Sequence, residues 1–253
     1  MVKNGSQIFL AADTSTPLGS VAVLAQDSRD RHARLLGEVS WDRQQSHSEI
    51  IAQQTQDLLE NLKLSFADLA GFACGIGPGS FTGIRVALNF IKTLAYTFNK
   101  PVHVMNSLQL LALPALQKNP KVFCMQSAFR DLAYVAQYQS GKLENSELLQ
   151  PSAWTMDQFN KFDQEIGLVV GEAYTSFKNE VSPGQSLKIS VDVRLENRPR
   201  SSNFQFYDFI HTPNSQILQW FQVKALYVRA SEAEEKLWKG GSISSDRQRD
   251  EIS

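Results

Sequence analysis

Apolar residues fall in short continuous runs through the first part of the chain, and such runs predict buried strands. Ile8-Phe9-Leu10-Ala11-Ala12 is the first and Val21-Ala22-Val23-Leu24 the second. The turn Asp13 to Gly19 separates them, so the two read as a hairpin. Leu35 to Trp41 supplies a third strand after a charged loop. The period then becomes helical: Ile50, Ile51, Thr55, Leu58, Leu59 and Leu62 share a face, and Ser46 and Glu49 stand at capping-box spacing before it. Leu69 to Ile76 predicts another strand, and a glycine-rich turn leads from it into a long helix ending near Phe98. Ile84, Ala87, Leu88, Ile91, Leu94, Ala95 and Phe98 form one apolar face of that helix, and Val86 and Phe90 a second. Arg85, Asn89, Lys92, Tyr96 and Asn99 are left as a narrow polar stripe. A helix apolar over most of its circumference must be covered on two sides. Its own sheet is one cover; a neighbouring helix of the same chain or a partner subunit is the other.

After Asn99-Lys100-Pro101 the pattern predicts a short strand, Val102-His103-Val104, and an apolar helix from Ser107 to Leu116 stopped around Pro114 and Pro120. Val122 to Ser127 and Leu132 to Gln139 read as an antiparallel pair that Leu143 to Leu149 extends. Met156 to Phe162 is a short helix and Ile166 to Val170 a buried strand. Helix is expected from about Asn203 to Phe221, broken near Pro213, and strand from Ala225 to Arg229. These elements divide into a first lobe over 1–116, a smaller second lobe over 117–230, and a charged, Gly- and Ser-rich tail over 231–253 expected to be mobile. Mixed sheets flanked by helices are the natural architecture of each lobe, an α/β class.

Composition narrows the functions. With 253 residues, 42% of them hydrophobic, the chain can bury one good core or two small ones. A net charge of −1 gives no footprint for autonomous nucleic-acid binding. No run is long and apolar enough for a membrane span, and Met1 to Gln7 lacks a leader pattern, so a cytoplasmic location is expected. Cys74 and Cys124 sit inside apolar runs and read as small core residues.

Two stretches carry candidate chemistry. Asp13, Thr14 and Ser15 follow the first strand as they do in actin-like and sugar-kinase-like domains, where such a turn faces nucleotide phosphates. Their alternative role is to satisfy a tight turn through side-chain to backbone hydrogen bonds. The second stretch is Gly77-Pro78-Gly79-Ser80-Phe81-Thr82-Gly83-Ile84-Arg85, where Ser80 or Thr82 can cap the helix and leave an anion site at its start. It lacks the closing Gly-Lys-Ser/Thr of a P-loop, and Gly83 falls out of place for a dinucleotide fingerprint. Nucleophile-elbow and zinc-helix motifs are absent, and the four histidines form no triad by spacing. His47 is expected to pack against the glycine loop, and His103 to be packed or exposed, not catalytic.

Asp13-Thr14-Ser15-Thr16 after an opening strand, His47-Ser48-Glu49 at a helix start and the run Gly77 to Arg85 together resemble the TsaB (YeaZ) family. The clear match covers Ile8 to Ala112, and Tyr227-Val228-Arg229 resembles the family's C-terminal signature. The resemblance implies a two-lobed actin-like/sugar-kinase-like, ribonuclease H-like fold of the TsaD-like group. It implies a non-catalytic scaffold for a TsaD-like catalytic subunit which, with a TsaE-like ATPase, transfers a threonylcarbamoyl group to the adenosine following the anticodon of tRNA. tRNA is then met only through the complex, no cofactor is required by this chain, and ATP or ADP is left to the complex interface. The helices Ser48–Leu62 and Ile84–Phe98 would bundle with the partner, or form a homodimer without it, through His47, Glu49, Ile51, Leu58, Val86, Phe90, Ile91 and Leu94. The catalytic paralogue's His-x-x-x-His metal pair falls near Met105 and Gln109 here, and neither replaces a histidine as a metal ligand. Where the family has Asp, Arg and Glu at the start of the second lobe, this chain has Ser127, Phe129 and Leu132. The competing class is an autonomous phosphotransferase, or the M22-like peptidase to which relatives were once assigned.

Overall fold

The computed structural model describes residues 5–42, 46–128, 131–141, 146–177, 180, 189–191, 198–211 and 217–228. The expected tail, the Ser182-Pro183-Gly184 punctuation, Phe129 and Arg229 lie outside them.

Two mixed sheets carry the molecule. β1 (Gln7–Asp13), β2 (Gly19–Gln26) and β3 (Arg34–Trp41) form an antiparallel meander, and β4 (Gly71–Gly75) and β5 (Val102–Met105) run parallel to β1 on its other side. α1 (His47–Asn61) and α2 (Phe81–Phe98) cover one face. Ile8, Leu10 and Ala12 point into that layer with Ile51, Ile91 and Ala95, while Phe9 and Ala11 point to the opposite face. Burial on both faces is why β1 and β2 read as unbroken apolar runs without a period of two.

α3 (Ser107–Leu116) lies between the sheets. Leu110 and Leu113 join the core of the first sheet; Leu108, Leu111 and Ala112 join that of the second. The second sheet has β6 (Lys121–Ser127) at its centre, antiparallel β7 (Ala133–Gln139) and β8 (Glu147–Trp154) on one side, and on the other β9 (Gly167–Val170), parallel to β6, then β10 (Ile189–Val191). α4 (Met156–Lys161), started by a Thr155–Gln158 capping box, and α5 (Glu172–Phe177) complete this lobe.

Several expectations need correction. The Ser46–Glu49 capping box does not form: the Ser46 hydroxyl pairs with that of Ser48, 2.7 Å away, and makes no cap bond. Pro114 does not stop α3 but sits within it. Proline has no N–H for the Leu110 carbonyl, and Asn203 Nδ2 donates to that oxygen instead, at 3.1 Å. β8 runs through Pro151, which an edge strand tolerates, and residues 143–145 of the expected strand lie outside the described residues.

The largest difference concerns residues 198–211 and 217–228, expected in the second lobe. They return to the first. Where a helix to Phe221 was expected, a 3₁₀ turn (Ser201–Phe206) is followed by Tyr207 and Phe209, which with Phe204 lie buried across the first sheet. Ser201 N donates to Ser20 Oγ at 2.8 Å and Phe209 N to Gln26 Oε1 at 2.7 Å, so the buried polar side chains of β2 hold this segment. Arg200 pairs with Glu38 on β3. β11 (Ile217–Leu218) pairs with β5, and the expected strand from Ala225 forms no ladder. It is an extended strap, because the glycine loop and α2 offer it mainly side chains and one backbone partner, Leu226 N to Ile76 O at 2.8 Å.

His103 on β5 is packed, as expected, in a box of Phe9, Tyr207 and Phe209. Burial lowers its pKa to about 4. An unfolded-state value of 6.5 then means that the neutral ring supports folding above pH 6.5 and that this support is lost as pH falls towards 4. Denaturant titrations should show ~3 kcal/mol disappearing across that window, and His103→Gln should flatten the slope. An unchanged slope in the variant would count against this assignment.

Candidate functional site

The two stretches of candidate chemistry meet. β1 ends at Asp13 and β4 at Gly75, on adjacent parallel strands, so the opening turn and the glycine loop emerge side by side. Asp13 Oδ1 accepts from Ser15 N at 2.8 Å and Ser15 Oγ at 2.7 Å, and Oδ2 accepts from Ser107 Oγ at 2.8 Å. A side chain at Gly75 would collide with that carboxylate, its Cβ falling 1.7 Å from Oδ2. Asp13 and Thr14 are completely buried and Ser15 nearly so. Burial pushes the Asp13 pKa above its ordinary value; the bonds from Ser15 and Ser107 and the nearby His47 oppose that shift.

Thr14 enters the first turn of α2. Its hydroxyl donates to Gly83 O at 2.6 Å and accepts from Ala87 N at 3.0 Å, bridging one rung of the helix ladder. This approach requires Gly83, where an added Cβ would stand 2.1 Å from Thr14 O. Ser80 caps the helix, accepting from Gly83 N at 3.3 Å, and Ser80 N donates to Ser15 O at 2.7 Å. The glycine-loop end of α2 is thus engaged by Thr14, Ser15 and Ser80. Asp13, Thr14 and Ser15 take the hydrogen-bonding role that was the alternative to facing phosphate.

Arg85 lies over the Phe81 ring at 3.8 Å, and its Nε donates to Tyr227 Oη at 3.0 Å; Phe81 and Tyr227 stack at 4.7 Å. His47, expected against the glycine loop, directs its hydrogen bonds elsewhere. Trp41 Nε1 donates to its Nδ1 at 2.9 Å, and Nε2 lies 3.1 Å from Thr16 O.

The expected partner face is only partly a surface. Ile51 and Ile91 are buried in the first core and are corrected to core residues. Leu58, Val86, Phe90 and Leu94 are half-buried and Glu49 is exposed. Met105 is buried, and Gln109 Nε2 donates to Ser146 Oγ. Among the described residues no group of three or more His, Cys, Asp or Glu could hold a metal. Burial raises the pKa of both Cys74 and Cys124, which keeps the thiols inert. The sequence missed Ser107 as the partner of Asp13 and Thr14 as the brace of α2, because each contact joins segments far apart in the chain. The glycines at 75 and 83 were the one local sign that something approaches closely.

A family model for TsaD, tRNA N6-adenosine threonylcarbamoyltransferase, matches residues 23–207. The tRNA threonylcarbamoyladenosine biosynthesis protein TsaB of Bacillus subtilis strain 168 is 24% identical over 203 residues, which span 78% of this chain and 85% of that protein. The protein of the same name from Escherichia coli K12 is 31% identical over 133 residues, 52% of this chain and 54% of its own length. Among solved structures, YeaZ from Pseudomonas aeruginosa matches with a TM-score of 0.70 at 21% identity, over 87% of this chain and 99% of that one. The likeness to YeaZ is one of fold, and the two mixed sheets flanked by helices expected from the sequence are found.

Three substitutions at two positions test the interlock by thermal or denaturant unfolding. Gly83→Ala should destabilise by ~2 kcal/mol or more, although alanine is favoured over glycine in a helix by about 1 kcal/mol. Asp13→Ala should cost ~2–3 kcal/mol by stranding Ser15 and Ser107, whereas Asp13→Asn, which keeps the acceptor for Ser15 and loses only the one for Ser107, should cost less, ~1 kcal/mol. A stabilising Gly83→Ala would sink the close-approach argument.

Proposed function

Because this chain belongs to the tRNA N6-adenosine threonylcarbamoyltransferase (TsaD) family, we propose that it acts in tRNA threonylcarbamoyladenosine biosynthesis as a TsaB-type subunit that holds a catalytic partner and does not itself transfer the group. Relatives that bear the TsaB name support the process. The observation that carries the non-catalytic role is the state of Asp13. A carboxylate that serves a magnesium–phosphate centre must present lone pairs to an open site. Asp13 is wholly buried, with both oxygens accepting from Ser15 and Ser107. Ser127 and Leu132, where the family carries Asp and Glu, add no carboxylate. These residues do not fit a bound divalent cation, which also weighs against an autonomous phosphotransferase or peptidase.

The partner is a TsaD-like catalytic subunit, with a TsaE-like ATPase completing the complex, and a second copy of this chain takes the partner's place when it is alone. The contact surface is the α1–α2 face at Leu58, Val86, Phe90 and Leu94, with His47 and Glu49 at its rim. ATP or ADP, where required, binds at the complex interface, and this chain works in the cytoplasm. No helix among the described residues is long and apolar enough to cross a membrane.

Phe90→Glu should weaken association with the catalytic subunit by at least ~30-fold while leaving the melting temperature near wild type. Ile91→Glu, by contrast, should unfold the chain, since it places a charge in the first core. Asp13→Asn should support tRNA modification at the wild-type rate in a reconstituted assay. Full co-purification of the Phe90→Glu variant would remove the proposed interface, and loss of modification with Asp13→Asn would restore a catalytic role for this site.

A further inference from the structure

An aromatic cluster stands on the surface at the far end of α2 from the glycine loop. Tyr96 is 66% exposed, Phe221 63% and Trp220 37%. Tyr96 meets Trp220 edge-on at 5.1 Å, and Trp220 meets Phe221 edge-on at 5.7 Å. Three contiguous exposed rings are unusual on a soluble surface and mark a binding site. The local charge identifies its class. The stretches 92–100 and 217–228, which carry these rings, contain Lys92, Lys100 and Lys224 and no carboxylate, in a chain whose acidic residues outnumber its basic ones by 26 to 25. Lys92 lies one helical turn before Tyr96, and its Nζ donates to Val223 O, which joins helix and strap beside the rings. On the elements that flank α2, Asp57, Glu60 and Asp68 are engaged within their own turns by Gln53, Gln56 and Ser65.

We propose that this aromatic and basic track is an RNA-contact surface, with unpaired bases stacking on Tyr96, Trp220 and Phe221 and the phosphate backbone following Lys92, Lys100 and Lys224. Ring faces accept any base, and a cationic rim free of carboxylates tolerates the backbone; a protein partner would need only the first of these. The choice of RNA rests on the tRNA-modification reading, and the track gives this subunit its own contact with the substrate, beyond that made through the complex. Its modest charge makes the contact auxiliary, which agrees with the near-neutral chain.

The test uses the full chain, alone and in complex with its catalytic subunit, and fluorescence anisotropy with an unmodified anticodon stem-loop as the probe. Tyr96→Ser and Phe221→Ser remove exposed rings without opening the core, and Lys100→Glu with Lys224→Glu reverses the rim. RNA affinity of the complex should fall about 5–100-fold for the ring variants, in line with stacking losses per base. The lysine variants should reduce the slope of log affinity against log salt by roughly 1–2. Unchanged affinity and salt slope in all variants overturn the proposal, as does loss of catalytic-subunit binding with RNA affinity intact, which would make the patch a protein dock. If the wild-type chain binds no catalytic subunit and supports no modification, but its own RNA binding falls in the variants, the track stands and the functional reading fails. If modification depends on the chain but is indifferent to the patch, the reverse holds.

Discussion

The contact on which the site depends is the insertion of the β1–β2 turn into the start of α2. Thr14 gives its hydroxyl to the Gly83–Ala87 rung, Ser15 gives its carbonyl to Ser80, and Asp13 closes onto Ser15 and Ser107. Each is a buried polar group, and a buried polar group left unpaired costs ~1–3 kcal/mol. The arrangement therefore behaves as a unit, satisfied in full or disrupted in full. The sequence left open whether this turn and the glycine loop face a phosphate. Here they are fitted to each other, and α2 is set rigidly against the first sheet.

Rigid placement of α2 has consequences along its length. Its inner face, with Ala87, Ile91 and Ala95, is consumed by the chain's own core, so Ile91 is withdrawn from the surface that the sequence suggests. The C-terminal strap crosses the other side, bound through Leu226 to Ile76, through Tyr227 to Arg85 and through Val223 to Lys92. A helix held at both flanks presents half-buried Val86, Phe90 and Leu94 in a fixed geometry, which lowers the ordering cost of association. In the proposed scaffold role that geometry is the physical advantage, because it would supply a preorganised surface.

α3 and the returning segment hold the two lobes together. α3 is apolar all round because its two sides serve two different cores. Its Pro114 leaves the Leu110 carbonyl without an N–H of its own helix, and Asn203 fills that place. The chain thus passes to the second lobe through one helix and comes back to lock that helix from the other side.

The sequence alone determined the strands and helices up to Leu116, a hydroxyl cap of α2 at Ser80 or Thr82, the antiparallel pair at the start of the second lobe and the structural nature of both cysteines. These follow from periodicity and local hydrogen bonding, which neighbouring residues settle among themselves. It also carried the family, through the glycine run and the opening turn. Only the tertiary structure decided what those motifs do. Whether Asp13 faces a ligand or Ser107 depends on residues 94 positions apart, and whether Ile91 is surface or core depends on which stripe of α2 meets the sheet. The fold of residues 198–211 was illegible for the same reason: Phe204, Tyr207 and Phe209 follow no helical period, and their places are set by the face of a sheet formed almost two hundred residues earlier. Long-range packing, not local preference, fixed that segment, and with it the strap that completes the functional face.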